Sequence, residues 1–298
     1  MYYELKISIN PEIEDIISDI CFTNFECEGI VLAEEAYKDL KMTSTTRGTL
    51  RVFLTDITDN PIEVLKTERE ILKSRGFSDE ELGSWEINLE EKENQDWSKK
   101  WKEKWTVTHV TDKLAIVPSW IEYEPKENEI TITLDPGCAF GTGTHQTTQL
   151  CMKTLEKYLH KGYAVADIGM GSGILAILAK KLGAGEVYGC DNDDTVIDVA
   201  KENAKINGVG DIKFELNTAD KITQKYDFVC ANILHNILAE IMGDLKNIMK
   251  PGGKMVLSGI LDEKKQVVID ALKAQKLEIL EIISQDQWVG IVVENPLT

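Results

Sequence analysis

The densest chemistry in the chain lies in seven consecutive residues, Asp167-Ile168-Gly169-Met170-Gly171-Ser172-Gly173. Glycine at every second position permits a tight turn and lets a ligand approach the backbone closely. The apolar run Ala164 to Ile168 reads as a strand, and Ser172 to Leu182 as a helix ending at Gly183. A helix starting here turns unpaired N–H groups toward the crevice. The spacing differs from the dinucleotide fingerprint, because the third glycine follows the second by two residues and not three. Asp167, just before the first glycine, suits a cationic amine and not a pyrophosphate. S-adenosylmethionine carries an amine and a sulfonium and no phosphate, so the arrangement suits it better than NAD.

Two further polar residues end predicted strands. Asp191 closes Val187 to Cys190, 18 residues past Gly173, where a carboxylate can accept from both ribose hydroxyls. Asp193 and Asp194 follow it and can cap the next helix. Asp220, after the third strand, either borders an adenine or is a solvated loop residue. Asn232 ends the fourth strand, and its amide has both a donor and an acceptor for a reacting nitrogen or the methionine moiety. Methyltransferases acting on planar amides or base amines often carry Asn/Asp-Pro-Pro-aromatic at this place. Here Ile233 and Leu234 replace the prolines and His235 the aromatic, which favours a non-planar amine acceptor.

Positioning these residues requires alternating strands and helices from about residue 164 onward. Helices are expected near 193–206, 235–249 and 263–275, and strands at 212–216, 228–231 and 255–258. Leu277 to Ser284 and Val289 to Val293 are strands joined by a turn too short for a parallel crossover, so they must pair antiparallel. The expected fold class is α/β: a doubly wound, Rossmann-like sheet ending in an antiparallel hairpin, the habit of class I methyltransferases.

Residues 1–93 read differently. Strands near 3–9, 29–34, 49–55 and 85–89 and helices opened by Asn10-Pro11 and Asn60-Pro61 follow in the order strand, helix, strand, strand, helix, strand, the second helix running to Ser74 and stopping near Gly76. This order predicts a small α+β ferredoxin-like domain. Residues 94–106 follow as a linker helix in which Trp97, Trp101 and Trp105 recur at a helical period among Lys99, Lys100, Lys102 and Lys104. The tryptophan stripe is either a binding face or packing against a domain. Residues 107–298 are then the catalytic domain.

Composition excludes several classes. The net charge is −18, and residues 1–93 hold 22 acidic against 10 basic residues. Phosphate-driven affinity needs a basic face, so direct nucleic-acid binding is not expected; the acidity either attracts a basic protein partner or serves solubility alone. The six cysteines, at 21, 27, 138, 151, 190 and 230, form no C-x-x-C pair, which argues for reduced thiols and against a zinc site. No apolar run approaches the ~18 residues of a membrane span. The start Met1-Tyr2-Tyr3-Glu4-Leu5-Lys6 lacks the pattern of a signal peptide, so a cytoplasmic protein, acting as a monomer, is expected.

The segment Asp135-Pro136-Gly137-Cys138-Ala139-Phe140-Gly141-Thr142-Gly143-Thr144-His145-Gln146-Thr147-Thr148 resembles the signature loop of the bacterial ribosomal protein L11 methyltransferases. Asp96-Trp97 with Trp101, Pro118-Ser119-Trp120, Ala231-Asn232-Ile233-Leu234 and Pro251-Gly252-Gly253 match as well. Cys138 stands where the family pattern has Met, Gln146 where it has Pro, and Met170 where it has a small residue. The resemblance implies a protein N-methyltransferase that moves methyl groups from S-adenosyl-L-methionine to lysine and N-terminal amines of the basic ribosomal protein L11. It implies substrate binding by the N-terminal domain and cofactor ligands at Thr148, Gly169, Asp191 and Asn232, beside the Asp167 and Gly171 of the glycine motif. His145 is either a catalytic or a loop-ordering histidine, and no general base is assigned. The alternatives are a methyltransferase for RNA or a small molecule, and a non-catalytic nucleotide-binding module.

Overall fold

Alternation builds the N-terminal sheet. In β1 (Tyr2–Ile9), Leu5, Ile7 and Ile9 are buried and alternate with half-buried Lys6 and Ser8. The structure, a computed structural model, describes residues 2–25, 27–34, 48–55, 57, 60–92, 106–134 and 143–297. The linker helix with its three tryptophans, and the signature loop up to Thr142, lie outside the described residues.

After β1 come α1 (Glu14–Asn24), β2 (Cys27–Glu34), β3 (Gly48–Leu54), α2 (Pro61–Ser74), the short α3 (Asp79–Leu82) and β4 (Ile87–Lys92). The strands form an antiparallel sheet in the order β2-β3-β1-β4. Asn60 caps α2 as expected, accepting from the Ile62 N–H at 3.1 Å, with Pro61 in the first turn. Two expectations need correction. The chain after Asn10 first makes a 3₁₀ turn at Pro11–Ile13, and Ile13 rather than Asn10 is the N-cap residue of α1. Trp85 precedes the last strand instead of starting it, because its φ of 51° is left-handed and breaks extended pairing.

A second unit begins at Val107. Its first strands were not foreseen: β5 (Thr108–Thr111), β6 (Leu114–Pro118) and β7 (Ile130–Leu134) form a separate three-stranded sheet. Asn207 ties β7 to the body of the unit, donating to the Thr133 carbonyl at 2.6 Å and accepting from its N–H at 2.9 Å. Then follow α4 (Gln146–Tyr158), β8 (Val165–Ile168), α5 (Ile174–Lys181), β9 (Val187–Asp191), α6 (Thr195–Ile206) and β10 (Lys213–Leu216). β11 (Tyr226–Asn232), α7 (His235–Glu240), α8 (Met242–Asn247), β12 (Met249–Leu261), α9 (Lys265–Ala274), β13 (Glu278–Gln285) and β14 (Trp288–Glu294) complete it. The single helix expected over 235–249 is two, parted at Ile241, with Gly243 in the second weakening helix continuity.

The main sheet has seven strands in the order β10-β9-β8-β11-β12-β14-β13. Strands β8 to β12 are parallel, and β14 lies antiparallel between β12 and β13. This is the doubly wound sheet with a terminal antiparallel hairpin that the alternation requires. Helices α4, α5 and α6 cover one face. The other face packs Val229, Ala231, Met255, Leu257 and Ile291 against Leu238, Leu245, Val268 and Leu272 of α7, α8 and α9. Strand order reverses between β8 and β11, so their C-terminal ends open a crevice. Among the described residues no helix is long and apolar enough to cross a membrane.

Candidate cofactor site at the switch point

Strand β8 delivers Asp167 to the crevice, and the backbone then turns through Gly169, Gly171 and Gly173 with φ of 70°, 49° and 77° before α5 begins. These left-handed values are rarely open to residues with a Cβ. The turn is fastened to β9, because the N–H groups of Gly169 and Met170 donate to the Cys190 carbonyl at 2.9 and 3.1 Å. Gly169 has a second reason to be glycine. A Cβ there would lie 2.4 Å from Cγ2 of Ile233, the residue after Asn232. The two strand ends therefore touch directly.

Met170, the bulky departure in this turn, is buried and packs downward onto β9. A Cβ on Gly189 would meet the Met170 sulfur and the Phe214 ring, each at 2.7 Å. Gly189 thus clears the volume that Met170 fills, and the turn is free to keep its shape.

Asp167 is 1% exposed. One oxygen, Oδ2, accepts from the Ala176 N–H of α5 at 3.1 Å; the other, Oδ1, is buried without a hydrogen-bond partner. Burial pushes its carboxyl up to about 8, the Ala176 N–H working against that and the neighbouring Asp191 with it. Asp191, at the end of β9, accepts from the Gly171 N–H at 3.0 Å through Oδ2 and from the Asp193 N–H at 3.2 Å through Oδ1. Burial raises its carboxyl too. Asp194 is the N-cap residue of α6 without a side-chain cap bond, and Asp193 before it accepts from the N–H and hydroxyl of Thr195 at 2.9 and 2.7 Å. Asp220 sits exposed on a 3₁₀ turn.

Asn232 ends β11, next to β8. Its Nδ2 donates to the Thr148 hydroxyl at 3.2 Å, and its Oδ1 is buried with no partner. Thr148 is itself 1% exposed, on the first turn of α4. The fold thus joins residues separated by 84 positions in sequence.

His145 is the N-cap residue of α4, and its Nδ1 accepts from the Thr147 N–H at 3.4 Å and lies 2.8 Å from the Thr147 hydroxyl. Its ring meets the Trp288 ring edge-on at 4.8 Å. Burial lowers it to about 4, so it is neutral at pH 7. Of the two readings, the loop-ordering one fits this geometry. Helix α4 is braced along its length by β13: Lys153 donates to Gln285 at 2.7 Å, and Lys157 and Tyr158 both reach Glu281, at 2.7 and 2.8 Å.

The structure brings Thr148, Gly169 and Asn232 together and places Asp167, Gly171 and Asp191 along the adjoining turn. The sequence reading missed α4 as an element, and with it Ile233 and Gly189 as the residues that shape the crevice. The signal for α4 was present: Leu150, Cys151, Thr154 and Leu155 share one buried helical face behind a capping His145. The gathered side chains offer acceptors and no positive charge. Two buried acceptor oxygens without partners, one from each strand end, fit a ligand that brings N–H donors and a positive charge. They do not fit a phosphate.

A family model described as ribosomal protein L11 methyltransferase (PrmA) matches residues 1–296. The chain is 42% identical over 213 residues to a ribosomal protein L11 methyltransferase of Acetivibrio thermocellus, covering 71% of this chain and 68% of that one. A protein of the same description from Clostridium perfringens is 38% identical over 240 residues, covering 80% and 76%. A solved structure of ribosomal protein L11 methylase from Lactobacillus delbrueckii subsp. bulgaricus aligns with a TM-score of 0.62 at 36% identity, over 64% of this chain and 100% of that one.

Proposed function

The chain belongs to the ribosomal protein L11 methyltransferase family, and on that premise we propose that it methylates lysine side chains and the N-terminal amine of ribosomal protein L11. The methyl donor is S-adenosylmethionine, whose sulfonium supplies an electrophilic methyl group when bound. The observation that carries the site is the pair of buried, unpartnered oxygens, Asp167 Oδ1 and Asn232 Oδ1, beside the glycine turn.

In this reading Asp167 would accept from the cofactor's amine, and the Gly169 to Gly171 turn would hold its methionine end. Asp191 would hold the ribose hydroxyls. Asn232, steadied by Thr148, aligns the nitrogen that receives the methyl group. That nitrogen must be neutral to react. A lysine of pKa ~10.4 is neutral at pH 7 on the order of once in 10³, a cost of roughly 4.6 kcal/mol. Docking the amine beside a positive sulfonium and away from water lowers that cost. His145 has its Nδ1 committed to the α4 cap, so the proton leaves to water, and the rest of catalysis is in-line placement. Residues 1–93 are read as a ferredoxin-like substrate-recognition domain and 94–106 as a linker. The surplus of acid in the first of these suits a basic ribosomal protein and repels RNA. The protein is read as a cytoplasmic monomer.

The test is to incubate the protein with labelled S-adenosylmethionine and purified ribosomal components. Label on L11, located by mass spectrometry on lysine and N-terminal nitrogens, is expected. Label on ribosomal RNA or on another protein, with L11 unlabelled, overturns the proposal.

A further inference from the structure

We infer that Asp167 is a neutral carboxylic acid in the free enzyme and releases its proton to solvent as the cationic amine of the cofactor docks, so that cofactor binding and proton release are one event. The inference rests on the proposed cofactor reading and concerns what that binding does to the enzyme.

The geometry carries it. An ionised carboxylate that is 1% exposed needs either a cation or several hydrogen bonds. Two or three backbone N–H donors are what hold a carboxylate in its charged form. Asp167 has one, from Ala176, and its second oxygen has none. Among the described residues, the groups facing it supply no positive charge. On β8 its neighbours are Val165, Ala166 and Ile168. From β9 come Cys190 and Asp191, from β11 comes Cys230, and from α4 comes Cys151. Burial holds all three thiols protonated, and Asp191 adds negative potential. Every influence except the Ala176 N–H favours the acid form, and burial places its titration near 8.

Docking a primary ammonium reverses this balance. The carboxyl O–H bond breaks and the proton passes to bulk buffer. The ammonium keeps its three hydrogens and forms an ion pair with the carboxylate left behind. Charge and atoms balance with no further reactant.

Calorimetry at pH 6.5 tests this. S-adenosylhomocysteine is titrated into the protein in two buffers of different ionisation enthalpy, and its amine stays protonated throughout. The heats are expected to differ by the equivalent of about one proton released per site. Affinity should rise nearly tenfold per pH unit up to about pH 8 and then level off, as one-proton linkage requires. 5′-Methylthioadenosine, which lacks the amine, should show no buffer dependence. Asp167→Asn should bind S-adenosylhomocysteine more weakly and without proton release. Equal heats in both buffers for the native protein overturn the inference, as does proton release that persists in Asp167→Asn. If S-adenosylhomocysteine fails to bind, or binds equally well to Asp191→Ala, the cofactor reading itself falls and the inference falls with it.

Discussion

Replacing Gly169 by alanine tests the contact on which the crevice is built. Its φ of 70° makes an L-residue pay about 1–2 kcal/mol for left-handed backbone. The new methyl would lie 2.4 Å from Ile233 Cγ2, against an optimum near 3.5–4.0 Å. Ile233 is β-branched and leaves little rotamer freedom, so relief requires a backbone shift, at about 1–3 kcal/mol for overpacking. The smaller unfolded-state entropy of alanine returns about 0.4–1 kcal/mol. The net is a destabilisation of about 2–4 kcal/mol, which lowers the melting temperature of a unit this size by roughly 5–15 °C. Because Ile233 follows Asn232, the shift also moves the amide, and cofactor affinity should fall at least tenfold. The assay is a thermal double-mutant cycle with Ile233→Ala. In the Ile233→Ala background only the backbone penalty should remain, which leaves a coupling of about 1–3 kcal/mol. Native-like stability and affinity for Gly169→Ala, or a cycle without coupling, would refute the reasoning.

Other outcomes follow from the same crevice. Gly189→Ala should cost about 1–3 kcal/mol by colliding with Met170, and adding Met170→Ala should recover part of it in urea denaturation. His145→Ala should remove the α4 cap at about 1 kcal/mol. His145 is held near 4 in the folded protein and titrates at 6.5 unfolded, so its share of stability is present above 6.5 and lost as pH falls toward 4. The loss on charging the buried ring amounts to about 3 kcal/mol and is separate from the cap, and His145→Asn, which keeps a capping acceptor, should lack it when urea midpoints are compared across the window. Asp191→Ala should weaken cofactor binding at least tenfold by calorimetry, through loss of a charged contact; unchanged affinity would place the ribose elsewhere.

Much of the site was legible because its grammar is local. Asp167 through Gly173 is a strand end, a turn and a helix start within a dozen residues, and spacing alone distinguishes it from a dinucleotide motif. Asp191 and Asn232 could be placed because strands alternate with helices on a regular beat. The antiparallel hairpin followed from a connection too short to cross over. The stretch from 107 to 158 was not legible as elements. Its strands are four or five residues long and pair with one another, and α4 is marked only by one buried face behind a histidine cap. The break at Ile241 escaped because helical periodicity runs through it.

The sequence by itself determined the class of sheet and the glycine turn at its first strand end, since alternating glycines and strand-ending polar residues act over a few positions of chain. Tertiary structure decided what those residues face. It set the Thr148 hydroxyl against Asn232, turned Ile233 onto Gly169 and emptied the space at Gly189 for Met170. It also buried Asp167 with a single donor. These are contacts between residues distant along the chain, fixed by close packing of adjacent strand ends, and no local pattern encodes which partner arrives. On the proposed reading, the glycine turn receives the ligand, and the packing around Asp167 and Asn232 sets the charge that it must carry.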